Sequence, residues 1–150
     1  MDRKPDRVLL TFIAAPPEKA WALLTDPDRT PEWFMGHRME VGQAIGDRFQ
    51  VLAPGGKLHI RGEVLAIDPP RRLMVSWQDS ITGLPPIEVE WLIESAGEAT
   101  RLTVHEYHHA EVPEKWLKAG REGWSLILAV MKTMLETGKS FPPVKMEPPQ

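Results

Sequence analysis

The sequence predicts an α+β domain in which a bent antiparallel sheet of about seven strands wraps around one long C-terminal helix, with two short helices after the first strand. Three observations predict this class. Residues 37–107 consist of strand-like segments that in places alternate apolar with polar positions, the connections between these segments are short, and apolar residues from 124 to 135 recur with a helical period. Short connections favour antiparallel neighbours, and one broadly apolar helix needs a large apolar surface to cover it.

The N-terminal part predicts one strand followed by two short helices. Residues 7–14 (RVLLTFIA) are β-branched and aromatic, as is typical of a strand. A helix is expected over 17–24, because Pro17 suits the first helical position and Glu18 suits the positive first turn. The Asp-Pro-Asp sequence that follows interrupts this helix, and a second short helix is expected over 28–33.

The central part predicts six further strands, separated by turns rich in glycine and proline. They are expected at 37–41, 47–52, 57–67, 72–78, 87–93 and 101–107. Alternation predicts one apolar, aromatic face that carries Trp77 and Trp91, and an opposite face that is solvated. His59 and the two carboxylates Glu88 and Glu90 are expected on the solvated face.

The last predicted element is a helix over 123–138, preceded by a loop or a short helix over 108–120. Gly138 stands where a left-handed glycine would end the long helix. The chain is long enough for one domain, 1–150, and residues 8–138 are expected to fold. Residues 139–150 are expected to form a partly extended tail, because prolines cannot continue a helix.

Composition argues against several classes of function. The net charge is −3 and the pI is about 6.0, with no basic run of the kind that binds a phosphate backbone, so no nucleic-acid partner is expected. There is no cysteine, no signal-peptide pattern at the N-terminus and no apolar run near the roughly 20 residues of a membrane span. These features favour a cytoplasmic protein that is not inserted in a membrane.

Several short motifs resemble one known superfamily. The sequence APPEKAW at 15–21 is followed by LTDP at 24–27, and GEVL at 62–65 leads to DPPRRL at 68–73. Trp77 ends a predicted strand, and Gly123-Trp124 lies at the start of the predicted long helix. In this order and spacing, over about 8–135, the chain resembles the START-like (SRPBCC) superfamily, also called the helix-grip or birch-pollen-allergen fold. Within it, the chain is most similar to homologues of the C-terminal domain of the heat-shock protein 90 ATPase activator.

The resemblance implies a cavity between the bent sheet and the long helix. It implies a protein that binds an apolar or amphipathic small molecule there, without catalysis or a cofactor, as a monomer or homodimer. Two alternatives stay open. One is an enzyme of the cyclase or aromatase kind that acts on a hydrophobic substrate in the same cavity, and the other is an interaction module similar to a chaperone cofactor.

Candidate cavity-lining residues come mainly from aromatic positions on separate elements, because aromatic side chains that converge can form the wall of a ligand site. They are Trp33, Met35, Phe49, Trp77, Trp91, His105, Trp124, Leu128 and Met131. Relatives often carry a histidine after a strand that begins like TRLT at 100–103, which implies the role of His105. A buried titratable group in the cavity wall, with His105 or Glu106 the first to inspect, would favour the enzyme.

The sequence HEYHH at 105–109 matches the H-E-x-x-H motif of zinc proteases. That motif places both histidines on one helix face, whereas this segment continues a predicted strand. On an extended chain the two imidazoles would lie roughly 13 Å apart, too far to share one zinc ion. We therefore expect no metal site, and the serines, which lack a G-x-S-x-G context, provide no catalytic residue.

Overall fold

The computed structural model describes residues 3–147, and it confirms the predicted α+β class. Three helices and seven strands follow one another along the described chain. They are β1 (Arg7–Ile13), α1 (Pro17–Thr25), α2 (Thr30–Trp33), β2 (Arg38–Val41), β3 (Arg48–Leu52), β4 (Leu58–Asp68), β5 (Arg72–Asp79), β6 (Ile87–Ala96), β7 (Ala99–His108) and α3 (Glu114–Thr137).

The seven strands form one antiparallel sheet in the order β1-β7-β6-β5-β4-β3-β2. Consecutive strands from β2 to β7 are neighbours because short turns join them, whereas β1 pairs with β7. Since β1 and β2 are the two edge strands, α1 and α2 carry the chain from one edge of the sheet to the other. The sheet bends around α3, and the face toward α3 is called the inner face below.

Helix α3 begins at Glu114, nine residues before the predicted start at 123. Pro113 is the extended N-cap residue and Glu114 lies in the positive first turn, so the helix starts where proline and acid favour it. The prediction failed because Gly120 and Gly123 lower helix propensity, by up to about 1 kcal/mol each. Gly138 ends the helix in the left-handed conformation, with φ of 71°, as predicted.

Two side chains of α3 fix the helix against the free edge of β1. The ammonium group of Lys132 donates to the carbonyl oxygen of Phe12, and the carboxylate of Glu136 accepts from the backbone N–H of Ala14 at 2.8 Å. Lys132 and Glu136 also pair with each other at 2.8 Å. These contacts satisfy backbone groups that an edge strand leaves unpaired, and they hold the C-terminal half of α3 close to the sheet.

The core lies between the inner face and α3. Its largest fully buried side chains include Trp33, Trp91, Phe49 and Met131. After α3, residues 139–147 have no regular secondary structure, and Phe141 packs against the core. Residues 1–2 and 148–150, which belong to the predicted domain and tail, lie outside the described residues. Within residues 3–147, no helix is long and apolar enough to cross a membrane.

Candidate functional site

A partly open cavity of about 340 Å³ lies between the N-terminal half of α3 and the inner face of the sheet. Helix α3 supplies Trp116, Trp124 and Ile127, and the sheet supplies Trp77. Phe34 and Met35, which follow α2, complete the apolar wall. The contacts of Lys132 and Glu136 with the end of β1 lie in the other, C-terminal half of α3, away from the cavity.

Aromatic rings form a continuous wall on one side of the cavity. The ring centroids of Trp77 and Trp124 lie 5.9 Å apart, and those of Phe34 and Trp77 lie 6.1 Å apart. Trp91 lies behind them, with its centroid 6.0 Å from that of Trp124, and is fully buried. The spacings are those of ordinary aromatic packing, so the rings form a stable surface.

The structure brings three of the predicted residues to the cavity, namely Met35, Trp77 and Trp124. Five others are packed in the core and do not reach the cavity wall. These are Trp33, Phe49, Trp91, Leu128 and Met131, all less than 5% exposed. The indole N–H of Trp33, for example, donates to the carbonyl oxygen of Leu23 at 3.0 Å. Periodicity assigned these side chains to the correct face, but the cavity occupies only part of that face.

The predicted position of His105 needs correction, because its side chain lies on the outer face of the sheet. Val104 and Glu106 point inward, so alternation along β7 turns His105 outward. Its Nδ1 lies 2.8 Å from the carboxylate of Glu90 on the neighbouring strand β6. His105 therefore belongs to a polar cluster outside the cavity.

Glu90 is the centre of that outer cluster and is only 5% exposed, although the sequence predicted a solvated carboxylate. Arg72 Nε donates to it at 2.6 Å and the hydroxyl of Tyr107 donates at 3.2 Å. Burial alone would raise the pKa of Glu90, but the hydrogen bonds from His105 and Arg72 outweigh burial and lower the pKa. Burial, reinforced by the charge of Glu90, raises the pKa of Tyr107. These satisfied hydrogen bonds fit a structural role.

A second polar cluster, made of Arg7, Glu106, His108 and Trp124, lies in the cavity wall. Arg7 Nε is 3.4 Å from Glu106 Oε1, and each of these side chains is 8% exposed. His108 Nε2 lies 2.8 Å from the same oxygen, while the indole N–H of Trp124 donates to Oε2. Both carboxylate oxygens of Glu106 are therefore engaged, and its charge is balanced by Arg7.

Gly120 on α3 makes room for this cluster. A Cβ atom at Gly120 would lie 2.9 Å from Arg7 Nη1, closer than carbon and nitrogen normally approach. Arg7 Nη2 donates at 2.8 Å to the carbonyl oxygen of Leu117 in the same turn of the helix. The glycine that obscured the start of α3 in the sequence thus allows a buried arginine to pack against the helix.

His59, His37 and Asp79 form a third polar group, and two of them, His59 and Asp79, line the cavity. The predicted solvated position of His59 needs correction. Val51 pairs with Ile60 and Leu52 pairs with Leu58, so His59 is the extra residue of a β-bulge between β3 and β4. A bulge interrupts the alternation of side chains and can redirect one of them, which strand periodicity could not predict.

The third group is joined by short contacts between its ring and carboxylate atoms. His59 Nε2 lies 3.3 Å from Asp79 Oδ2, and His59 Nδ1 lies 3.1 Å from His37 Nε2. Asp79 belongs to β5 and Arg7 to β1, which are three strand spacings apart, or roughly 14 Å. The aromatic wall therefore lies between two separate polar groups, each near a different flank of the cavity.

The H-E-x-x-H segment continues strand β7 as far as His108, with His109 directly after it, and the two histidines of the motif contact different carboxylates. His105 contacts Glu90, whereas His109 Nε2 lies 2.7 Å from Glu88. Among residues 3–147, no group of three or more potential ligands is arranged to hold a metal ion. Glu106 of this segment reaches the cavity wall from the inner face. Its alternation with Leu102 and Val104 along β7 could have predicted this position.

Comparisons with known proteins agree with this architecture. CalU16 from Micromonospora echinospora is 26% identical, with 84% of this chain and 74% of that chain covered and a TM-score of 0.66. Protein MLL2253 from Mesorhizobium loti is also 26% identical, with 86% and 96% covered and a TM-score of 0.69. The Aha1 dimer from Colwellia psychrerythraea shares the fold at 18% identity, with 89% and 97% covered and a TM-score of 0.71.

No curated protein matches the chain. Residues 14–136 match the family described as Activator of Hsp90 ATPase homolog 1-like protein. The matched segment begins directly after β1 and ends one residue before the end of α3. The match contains the aromatic wall, the His59 bulge and the Glu106 strand. It covers most of the sequence and agrees with the order of helices and strands. The chain belongs to the Activator of Hsp90 ATPase homolog 1-like protein family.

Proposed function

We propose that this protein binds an uncharged apolar or amphipathic small molecule in the cavity between α3 and the sheet. The observation that carries the proposal is the cavity itself, whose volume of about 340 Å³ and aromatic wall match those of small-molecule sites. Such sites typically measure about 300–1,000 Å³ and combine apolar walls with a few polar groups.

The charges of the cavity wall favour an uncharged ligand. Arg7 lies beside Glu106 and Asp79 lies beside His59, so each charged side chain has a neighbour that can balance its charge. A charged ligand would have to be desolvated beside groups that already have partners, which is costly without a new opposite charge. An uncharged ligand with one or two polar atoms avoids this cost.

Gly123 offers a direct test, because it lines the cavity and a Cβ atom there would meet no other atom within 4 Å. The substitution Gly123→Leu should place a side chain in the open space and also favour the helix, by up to about 1 kcal/mol. The probe is β-tetralone, an uncharged bicyclic aromatic ketone, and binding is measured by quenching of tryptophan fluorescence. We expect saturable quenching in the wild type and an affinity at least about tenfold lower in Gly123→Leu, equivalent to 1.4 kcal/mol.

Ser125→Leu is the matched control, because Ser125 lies on the exposed side of the same helix. It adds the same side chain outside the cavity and should bind β-tetralone like the wild type. Quenching that does not saturate in the wild type, or that is equal in the Gly123 and Ser125 variants, would contradict cavity binding.

An enzyme acting in the same cavity is a second candidate, favoured by one observation. Glu106 is a buried titratable group in the wall, and His59 with Asp79 supplies further titratable groups there. Titratable side chains in an apolar cavity are typical of acid–base catalysis. The experiment that separates catalysis from simple binding measures whether the protein accelerates exchange of the α-protons of a bound ketone.

A further inference from the structure

The contacts within the His37–His59–Asp79 group restrict which ring nitrogens carry hydrogens. His37 Nδ1 lies 3.1 Å from the carbonyl oxygen of Phe34 and 3.2 Å from that of Met35. Carbonyl oxygens only accept hydrogen bonds, so this nitrogen carries a hydrogen. His37 Nε2 and His59 Nδ1 face each other, and therefore one of them donates and the other accepts.

Two neutral imidazoles beside an ionised Asp79 cannot satisfy all of these contacts. If neutral His37 accepts at Nε2, His59 donates from Nδ1 and its bare Nε2 would face the carboxylate of Asp79. If His59 donates to Asp79 instead, two bare nitrogens would face each other between the imidazoles. Hydrogens on both ring nitrogens of His59 remove either conflict.

We propose that His59 and Asp79 are catalytic residues that enolise an uncharged ketone bound in the cavity. This inference rests on the proposed function, because the substrate must first enter the cavity. Both side chains line the cavity, and His59 Nε2 lies 3.3 Å from Asp79 Oδ2. The carbonyl oxygen and the α-hydrogen of one ketone lie on adjacent carbons, so one substrate can reach both atoms.

The proposed step starts from His59 protonated on both ring nitrogens and from an ionised Asp79, and it conserves protons and electrons. Asp79 takes the α-proton of the ketone, the electrons of the broken C–H bond form the carbon–carbon double bond, and His59 Nε2–H gives its proton to the carbonyl oxygen. The products are the enol, a neutral His59 and a protonated Asp79. Asp79 then returns its proton to His59 Nε2 across their contact, which restores the starting state.

His37 acts as a positioning residue for His59. The carbonyl oxygens of Phe34 and Met35 anchor Nδ1 of His37. Its Nε2 in turn contacts Nδ1 of His59 and fixes that imidazole. Asp79 is fixed as well, because its Oδ1 accepts the backbone N–H groups of Ile81 and Thr82 at 2.8 and 2.9 Å. Two side chains held in this way need little reorganisation when a substrate enters.

Glu106 is less suited to this step, because three side chains of the second polar cluster contact its two oxygens, whereas Asp79 Oδ2 has one side-chain contact, with His59. A proton on Glu106 would also leave the buried Arg7 without its counter-charge. We therefore assign the acid–base pair to His59, at the β-bulge, and Asp79 beside it.

The test measures deuterium incorporation at the α-carbons of β-tetralone in heavy water, followed by proton NMR. We expect the wild-type protein to accelerate exchange in a saturable manner. His59→Gln and Asp79→Asn should each lower the saturated rate by about 10²-fold or more, the range of general acid–base catalysis. Asp79→Asn retains Oδ1, so it keeps the acceptor for Ile81 and Thr82.

Three further variants separate catalysis from structure. His105→Gln, on the outer face, should exchange β-tetralone at the wild-type rate, and Gly123→Leu should abolish exchange by filling the cavity. His37→Gln should lower the saturated rate while leaving the half-saturating concentration of β-tetralone unchanged. A merely structural role of His37 would alter both quantities or neither.

Binding is measured in the same samples by tryptophan quenching, so the two proposals can fail separately. Saturable quenching without accelerated exchange would overturn the catalytic proposal and leave cavity binding intact. Exchange that is equal in the wild type and in both the His59 and Asp79 variants would also overturn it. Absence of quenching and of exchange would contradict cavity binding and catalysis together.

Discussion

Replacement of Arg7 by methionine should destabilise the protein by about 3–5 kcal/mol, the range for removing one partner of a buried ion pair. Arg7 and Glu106 are each 8% exposed, and the substitution would leave the carboxylate of Glu106 buried without a counter-charge. Methionine retains an apolar stem of similar length, so the change tests charge more than packing volume. The free energy of unfolding is measured by urea titration followed by circular dichroism.

Two further variants show whether burial is the cause. Arg71→Met removes an ion pair with Asp68 whose side chains are 69% and 57% exposed, so the cost should stay within about 1 kcal/mol. The double variant Arg7→Met with Glu106→Gln removes both charges and should recover part of the lost stability. An equal, small cost for the Arg7 and Arg71 variants would mean that the Arg7–Glu106 pair is solvated.

Trp91→Ala and Trp77→Ala should affect different properties. Trp91 is fully buried behind the cavity wall, so its truncation should cost about 3–5 kcal/mol of folding free energy. Trp77 is half-buried and lines the cavity. Its truncation should cost less stability, but it should weaken β-tetralone binding more strongly because part of the aromatic wall is lost.

Urea unfolding and titration with β-tetralone give the two quantities for each variant. Binding is measured well below the urea midpoint, where both variants are folded. A Trp77→Ala protein that binds β-tetralone like the wild type, or that is destabilised as much as Trp91→Ala, would remove Trp77 from the binding wall.

The sequence predicted the class and order of most elements because each depends on local chemistry. Pro17 and Gly138 mark ends of helices through backbone conformation, and short turns make strands β2 to β7 antiparallel neighbours. The start of α3 was missed because Gly120 lowers helix propensity, and the reason for this glycine is the space that it leaves for Arg7, more than 100 positions away. Local propensity cannot reveal such a tertiary reason.

The candidate site was predicted only in part, because periodicity assigns a side chain to a face and not to a depth. Trp77 and Trp91 share the inner face, yet only Trp77 reaches the cavity. His59 was assigned to the wrong side, since a bulge in pairing depends on the neighbouring strand. Glu106 was named with His105 as the first titratable group to inspect, and its alternation with the buried Leu102 and Val104 places it on the inner face.

Binding in the cavity requires that the space beside Gly123 accept a small molecule. Native mass spectrometry of the protein with added β-tetralone tests this point, with the wild type, Gly123→Leu and Ser125→Leu measured side by side. We expect a complex with one β-tetralone per chain for the wild type and for Ser125→Leu, and a bare chain for Gly123→Leu. A bare chain for all three, or a complex of equal abundance for all three, would contradict binding in the cavity.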